Sequence, residues 1–127
     1  MKVPAEVELK QGQECAAGGD HAAAIQHLKR ATELDGADAR CWISLGASLI
    51  QLRHWAQAVA ALRRGVDLRP HYAEADARLM LADALIGAGQ HVAARAQLEL
   101  VASMQPFYPS YDRPIIEARR RLSELAR

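Results

Sequence analysis

Aromatic side chains are scarce in this chain, with one Phe, two Trp and three Tyr among 127 residues. An interior with so few large rings has to be built from Leu, Ile, Val and Ala, which suits helices packed at close range. Turn formers are scarce as well. There are five prolines and eight glycines, and the glycines fall mostly at apparent helix ends and crossings, so an all-β fold lacks the material for its turns. No run of 18 apolar residues offers a membrane-spanning helix. Residues 1–20 place Glu6, Glu8, Lys10 and Glu14 where a signal peptide needs its apolar stretch. The two cysteines, Cys15 and Cys41, have no zinc-ligand spacing and could form one disulfide at most; reduced thiols in a cytoplasmic protein are the expectation. Cys15 is expected in the core and Cys41 partly exposed. A net charge of +1 supplies no field to steer nucleic acid or an anionic membrane. The excess of Arg over Lys fits a GC-rich, bacterial-type genome.

What the chain does contain is a period. Gly12 recurs as Gly46, Ala24 as Ala58, Leu28 as Leu62 and Leu34 as Leu68, each 34 residues later. With two residues added near positions 71–74, the series continues from Gly46 to Ala82, Ala58 to Ala94, Leu62 to Leu98 and Pro70 to Pro106. The expected class is all-α. First helices are predicted at about 4–17, 39–52 and 73–88, and second helices at about 21–34, 55–68 and 91–104. Asp20 and Asp38 have the chemistry of N-caps, Pro4 suits a first turn, and Gly36, Pro70 and Pro106 close their units. A glycine beside an apolar stripe, as in the stretch "WISLGASLIQL" at 42–52, costs about 1 kcal/mol relative to Ala. Close approach of the paired helix at Gly12 and Gly46 is the expected compensation.

The middle unit carries Trp42, Leu45, Gly46, Leu49, Ala58, Leu62 and Pro70. In that order and spacing it resembles the tetratricopeptide repeat (TPR), whose pattern is W-x2-L-G-x2-Y, then A-x3-F, then P. Leu49 stands for the Tyr and Leu62 for the Phe. The resemblance implies three repeats, at about 5–38, 39–72 and 75–108, and a capping helix at about 112–126, all in one right-handed α-solenoid of helix-turn-helix hairpins. Unit one departs with Glu8 and Gln11, unit three with Arg78 and Ala82. The polar residues of unit one are expected on an outer face that meets water. In the tail, Ile115, Ala118, Leu122 and Leu125 form one stripe, with Arg119, Arg120, Glu124 and Arg127 largely elsewhere, as a cap needs.

The family lines a concave groove with its first helices and holds peptide segments or helices there. On this chain the matching positions are Glu6, Leu9, Lys10 and Gln13 in unit one. Unit two contributes Arg40, Ile43, Ser44, Ala47, Ile50 and Gln51. Unit three contributes Asp76, Leu79, Met80, Asp83 and Ile86. The subfamily that grips a C-terminal carboxylate with Lys, Asn and Arg has no counterpart here, because Leu9, Gln13, Ser44, Asp76 and Met80 hold those places. The resemblance thus implies an adaptor or scaffold that binds a protein or peptide segment by apolar anchors at Leu9, Ile43, Ile50, Leu79, Met80 and Ile86. Arg40, Lys10, Asp76 and Asp83 would set its register. Secretion-type chaperones with three such repeats are the alternative, although they usually carry an N-terminal extension for dimerisation and the first repeat here begins almost at Met1. Self-association head to tail is a further alternative. Residues 5–38 carry seven acids against three bases, and residues 109–127 carry five arginines against three acids.

Catalysis is not expected. Asp76 and Asp83 share a helix face about 10 Å apart with no nucleophile or His beside them. His21, His27, His54, His71 and His91 fall at helix starts and joints and carry no metal-ligand pattern, and no phosphate loop or hydrolase elbow occurs. No cofactor or metal is expected. The triplet Arg119, Arg120 and Arg121 reads as a solvated helix face in place of an RNA or lipid contact, since the groove offers Ile, Leu and Asp where base-reading residues would be needed.

Overall fold

The computed structural model describes residues 3–71, 73–105 and 111–125. Pro106, Arg127, and the expected ends of the second repeat at 72, the third at 108 and the cap at 126 lie outside the described residues. Seven helices occur among those described: α1 (Ala5–Ala17), α2 (His21–Leu34), α3 (Ala39–Gln51), α4 (Trp55–Asp67), α5 (Glu74–Gly87), α6 (His91–Ala102) and α7 (Asp112–Leu125). They form a helical solenoid. α1 pairs with α2, α3 with α4 and α5 with α6; each pair packs on the next, and α7 packs on α6 and α5. The first helices α1, α3 and α5, followed by α7, stand side by side in a row.

Local chemistry explains the helix ends. The Asp20 carboxylate accepts the Ala23 N–H at 3.0 Å and the Asp38 carboxylate accepts the Arg40 N–H at 3.0 Å, each satisfying a backbone donor that the helix leaves unpaired. Inside each hairpin the chain turns through one left-handed residue, Gly19 (φ 87°), Arg53 (φ 59°) or Gly89 (φ 79°). The backbone bonds around it repeat: Asp20 N–H to Cys15 O, His54 N–H to Leu49 O and Gln90 N–H to Leu85 O. Two of the three turns use the residue for which that conformation carries no Cβ penalty; the middle turn uses arginine.

The glycine of the opening stripe is there for packing. A Cβ on Gly46 would lie 2.5 Å from Leu62 Cγ, and one on Gly12 would lie 2.6 Å from Leu28 Cγ. Leu28 and Leu62 are both fully buried. The paired helix therefore fills the space that a side chain would need, and dense packing against leucine offsets the poor helix propensity. The third hairpin meets the same register with Ala82 and Leu98, both buried. Trp55 of α4 lies against Gly87 of α5 and makes a comparable close contact between hairpins. The core runs the length of the array through Leu9, Leu28, Leu49, Leu62, Leu81, Leu85, Leu98 and Val101.

Two expectations are corrected here. Glu8 does not meet water: it is 5% exposed, its Oε2 lies 2.8 Å from His27 Nδ1, and Arg30 approaches Oε1 at 3.8 Å. The position that Trp42 and Arg78 occupy in the other units is thus filled by a buried carboxylate whose partners lie on α2. Trp42 donates its indole N–H to Gly36 O at 3.0 Å beneath the Arg64 guanidinium, and Arg78 bonds Glu74 and Gln97. The cysteines exchange the expected roles. Cys41 is 1% exposed and Cys15 is half-buried, both as free thiols. Cys41 faces the preceding hairpin from the first turn of α3, and burial, with the Asp38 and Asp35 carboxylates next, pushes its thiol up to about 11.

Candidate functional site

The row of first helices presents the expected groove residues, and many of them are one another's partners. Gln13 Nε2 on α1 donates to Ser44 Oγ on α3 at 3.3 Å. Arg40 on α3 donates to Glu6 on α1 at 2.8 Å and to Asp38 at 2.7 Å. The guanidinium beside Asp38 holds that carboxyl below the usual range. These bonds stitch α1 to α3. At the other end Arg121 of α7 bonds Asp83 of α5 and, at 3.0 Å, Glu117 of its own helix. Arg120 and Arg121 together hold Glu117 down to about 2. No side-chain hydrogen bond or ion pair joins α3 to α5 among the described residues.

Between α1, α2 and α3 lies a cavity of about 270 Å3 lined by Gln13, Ala16, His21, Leu28, Ser44, Ala47, Ser48 and Gln51. Four of these, Gln13, Ser44, Ala47 and Gln51, come from the sequence-derived set. Leu28, Ala16 and Ala47 make its walls largely apolar, and His21 also lines it; the His21 Nδ1 itself is buried, with no hydrogen-bond partner among the described residues.

The third unit's residues divide between two clefts of about 340 Å3 against α7. Asp76 and Leu79 face Arg113, Pro114, Glu117 and Arg121, whereas Asp83 and Ile86 face Arg120, Arg121, Glu124 and Leu125. Burial raises the Asp76 carboxyl above its usual range, with Arg113 opposing. Lys10 and Gln51 are exposed, and Ile50, Leu79 and Met80 are partly buried against the core.

Four expectations change. Leu9 is a core residue, 1% exposed, and offers a partner no surface. Ile43 keeps part of its surface but leans over Gly65 of α4, where its Cγ1 would lie 3.0 Å from an added Cβ; positions 9 and 43 are equivalent in the repeat and both turn inward. Asp83 and Arg40, expected to set a partner's register, are engaged within the chain. The arginine triplet is not uniformly solvated either, since Arg121 is half-buried and reaches α5. Sequence reasoning missed His21, Arg113, Glu117 and Arg121. The i,i+4 pair Glu117 and Arg121 was visible, but nothing local points 38 residues back to Asp83.

Among the described residues no group of three His, Cys, Asp or Glu could hold a metal ion, and no helix is long and apolar enough to cross a membrane.

A sequence profile described as tetratricopeptide repeat matches residues 16–75. No curated protein matches the sequence. Several solved structures share the fold. The Yersinia enterocolitica type III secretion chaperone SycD, in complex with a peptide of the translocator YopD, is 17% identical with a TM-score of 0.85, covering 95% of this chain and 91% of that one. MamA is 27% identical with a TM-score of 0.75, covering 94% and 70%. The Arabidopsis OM64 TPR domain is 19% identical with a TM-score of 0.80, covering 94% of each chain.

Proposed function

We propose that this chain, whose residues 16–75 match the tetratricopeptide-repeat profile, is a non-enzymatic adaptor of that kind holding a segment of a partner protein along its row of first helices. The observation that carries this reading is the 270 Å3 cavity between the first hairpin and α3. Its volume suits one large side chain, its walls are apolar, and Gln13, Ser44, Gln51 and His21 place a few polar groups around it, the composition of a recognition pocket. A partner residue with an apolar body and a polar end fits best, because its body would fill the cavity and its end would meet the Gln13, Ser44 and Gln51 side chains. Apolar contact would continue over Ile50, Leu79 and Met80 to Asp76, where a basic residue of the partner would find a carboxylate with no ion pair among the described residues. Single repeat positions that pack inward, Leu9 foremost, belong to the scaffold and not to this surface.

A secretion-type chaperone for an apolar client is the second reading. The overlay on a chaperone that carries a client peptide, over nearly the whole of both chains, supports it.

Capture of partners from the source cell by the wild type and by Ala47→Trp and Ser44→Arg variants tests the proposal. Arg63→Glu, an exposed change on α4, serves as control. All variants are first checked for wild-type helicity. A partner retained by the control and lost from both cavity variants is the expected result; its identification as a secreted protein selects the chaperone reading. A partner held equally by all three variants overturns the assignment of the site.

A further inference from the structure

We propose that copies of this chain associate end to end, the outer edge of α1 of one copy seating on the outer face of α7 of the next. The argument starts from repeat register. Val7, Gln11 and Glu14 of α1 stand where α3 has Cys41, Leu45 and Ser48, and where α5 has Ala77, Leu81 and Ala84. In α3 and α5 all six residues are buried, and the second helix of the preceding hairpin packs on each of these helices. In α1 the same stripe is uncovered: Val7 is 41% exposed, Val3 one turn earlier is 46% exposed, and Gln11 and Glu14 are exposed. The edge has the geometry of an internal joint of the array, with two valines for apolar contact and a carboxylate beyond them.

The opposite end supplies a matching surface. α7 sits on the array through Pro114, Ile115 and Ala118, which leaves Ile116 pointing away, 66% exposed, between Asp112 and Arg119. With Met104 and Ile115 these residues frame an outward cleft of about 220 Å3. Arg119 donates to the Ala102 carbonyl at 3.2 Å and forms no ion pair among the described residues; Glu14 at the other end likewise has no ion pair among them. The excess of acid over residues 5–38 and of arginine over residues 109–127 gives the two ends opposite sign. Opposite charge favours head against tail over head against head or tail against tail. A contact between two different surfaces is heterologous, so it leaves a free head and a free tail and repeats.

Mass measured by light scattering over a wide concentration range, at low and high salt, tests this. The variants are Val7→Arg at the head and Ile116→Glu at the tail, both at exposed positions and both checked by circular dichroism. The wild type is expected to grow beyond a dimer with concentration and to return toward monomer as salt screens the contact. Each variant alone is expected to remain monomeric. Their equimolar mixture retains one intact head and one intact tail and is expected to stop at a dimer. A wild type that stays monomeric throughout overturns the proposal, as does a variant that still dimerises alone, which marks an isologous contact. Neither substitution touches the cavity between α1, α2 and α3, so the result is independent of the partner-capture experiment.

Discussion

The Glu8 carboxylate and the His27 imidazole meet at 2.8 Å inside the first hairpin, at a repeat position where the second hairpin has tryptophan. A carboxylate this deeply buried costs little only while it is paired. His27→Ala leaves Glu8 with Arg30 alone at 3.8 Å, and a loss of about 1–3 kcal/mol is expected in urea unfolding. Replacing both residues by leucine should recover most of that loss, because exchanging both partners of a buried hydrogen bond for apolar groups of similar size is often nearly neutral. A double variant as unstable as the sum of the two single ones would refute this account of the pair.

Gly46 is held small by Leu62. Gly46→Ala gains helix propensity of up to about 1 kcal/mol, yet its Cβ would sit 2.5 Å from Leu62 Cγ. Overpacking is expected to win, with a net loss of about 1–2 kcal/mol. Gly18→Ala is the comparison, since its new Cβ meets nothing closer than 3.6 Å; its denaturation midpoint should move far less.

Arg53 occupies the left-handed position that Gly19 and Gly89 hold in the other two hairpins. The conformation costs an ordinary residue about 1–2 kcal/mol, part of which glycine returns as entropy of the unfolded chain. Arg53→Gly should therefore raise stability by about 0.5–1 kcal/mol, visible as an upward shift of the thermal midpoint.

The Arg121 and Asp83 pair joins α7 to the row of first helices from half-buried positions. A double-mutant cycle with Arg121→Ala and Asp83→Ala should return a coupling of about 0.5–1 kcal/mol, decreasing with salt. A coupling near zero at low salt would mean that α7 is held by its apolar face alone.

The two thiols should differ sharply toward alkylation. At pH 8 iodoacetamide should modify Cys15 in the folded protein and reach Cys41 only on unfolding, as peptide mass spectrometry can show. Because the folded thiol of Cys41 lies above its unfolded value, its contribution to stability is full below the ordinary thiol range. It is lost as pH rises toward about 11. Cys41→Ala should flatten that part of the stability profile.

The fold was legible because its determinants are periodic. Gly12 with Gly46, Leu28 with Leu62 and Ala24 with Ala58 recur at a fixed spacing, and each pair does the same packing work in its own hairpin. The caps Asp20 and Asp38 were legible for a related reason, since their partners lie two or three residues away. The candidate site was harder to read. Leu9 and Ile43 match the groove pattern, but which way a partly apolar first helix rotates is decided by what packs on it. In unit one no helix among the described residues covers Val7, which is 41% exposed, while Leu9 is buried. Glu8 and Cys41 were misplaced because a polar or small side chain in one unit was judged without its partner on the neighbouring helix. Arg121 was missed for the same reason across 38 residues.

The side-chain bonds along the row of first helices are discontinuous: α1 is tied to α3 through Gln13 and Arg40, and α5 to α7 through Arg121, while α3 and α5 pack with no side-chain hydrogen bond or ion pair between them among the described residues. Apolar contact has magnitude but little direction, so it tolerates small rotations that a directed bond would resist. The directed bonds of the row thus fall into two halves, and the α3–α5 seam between them is held by packing. A ligand long enough to cross from the first cavity to the α7 clefts would set the angle between those halves, and the curvature of the bound protein would carry a record of what it holds.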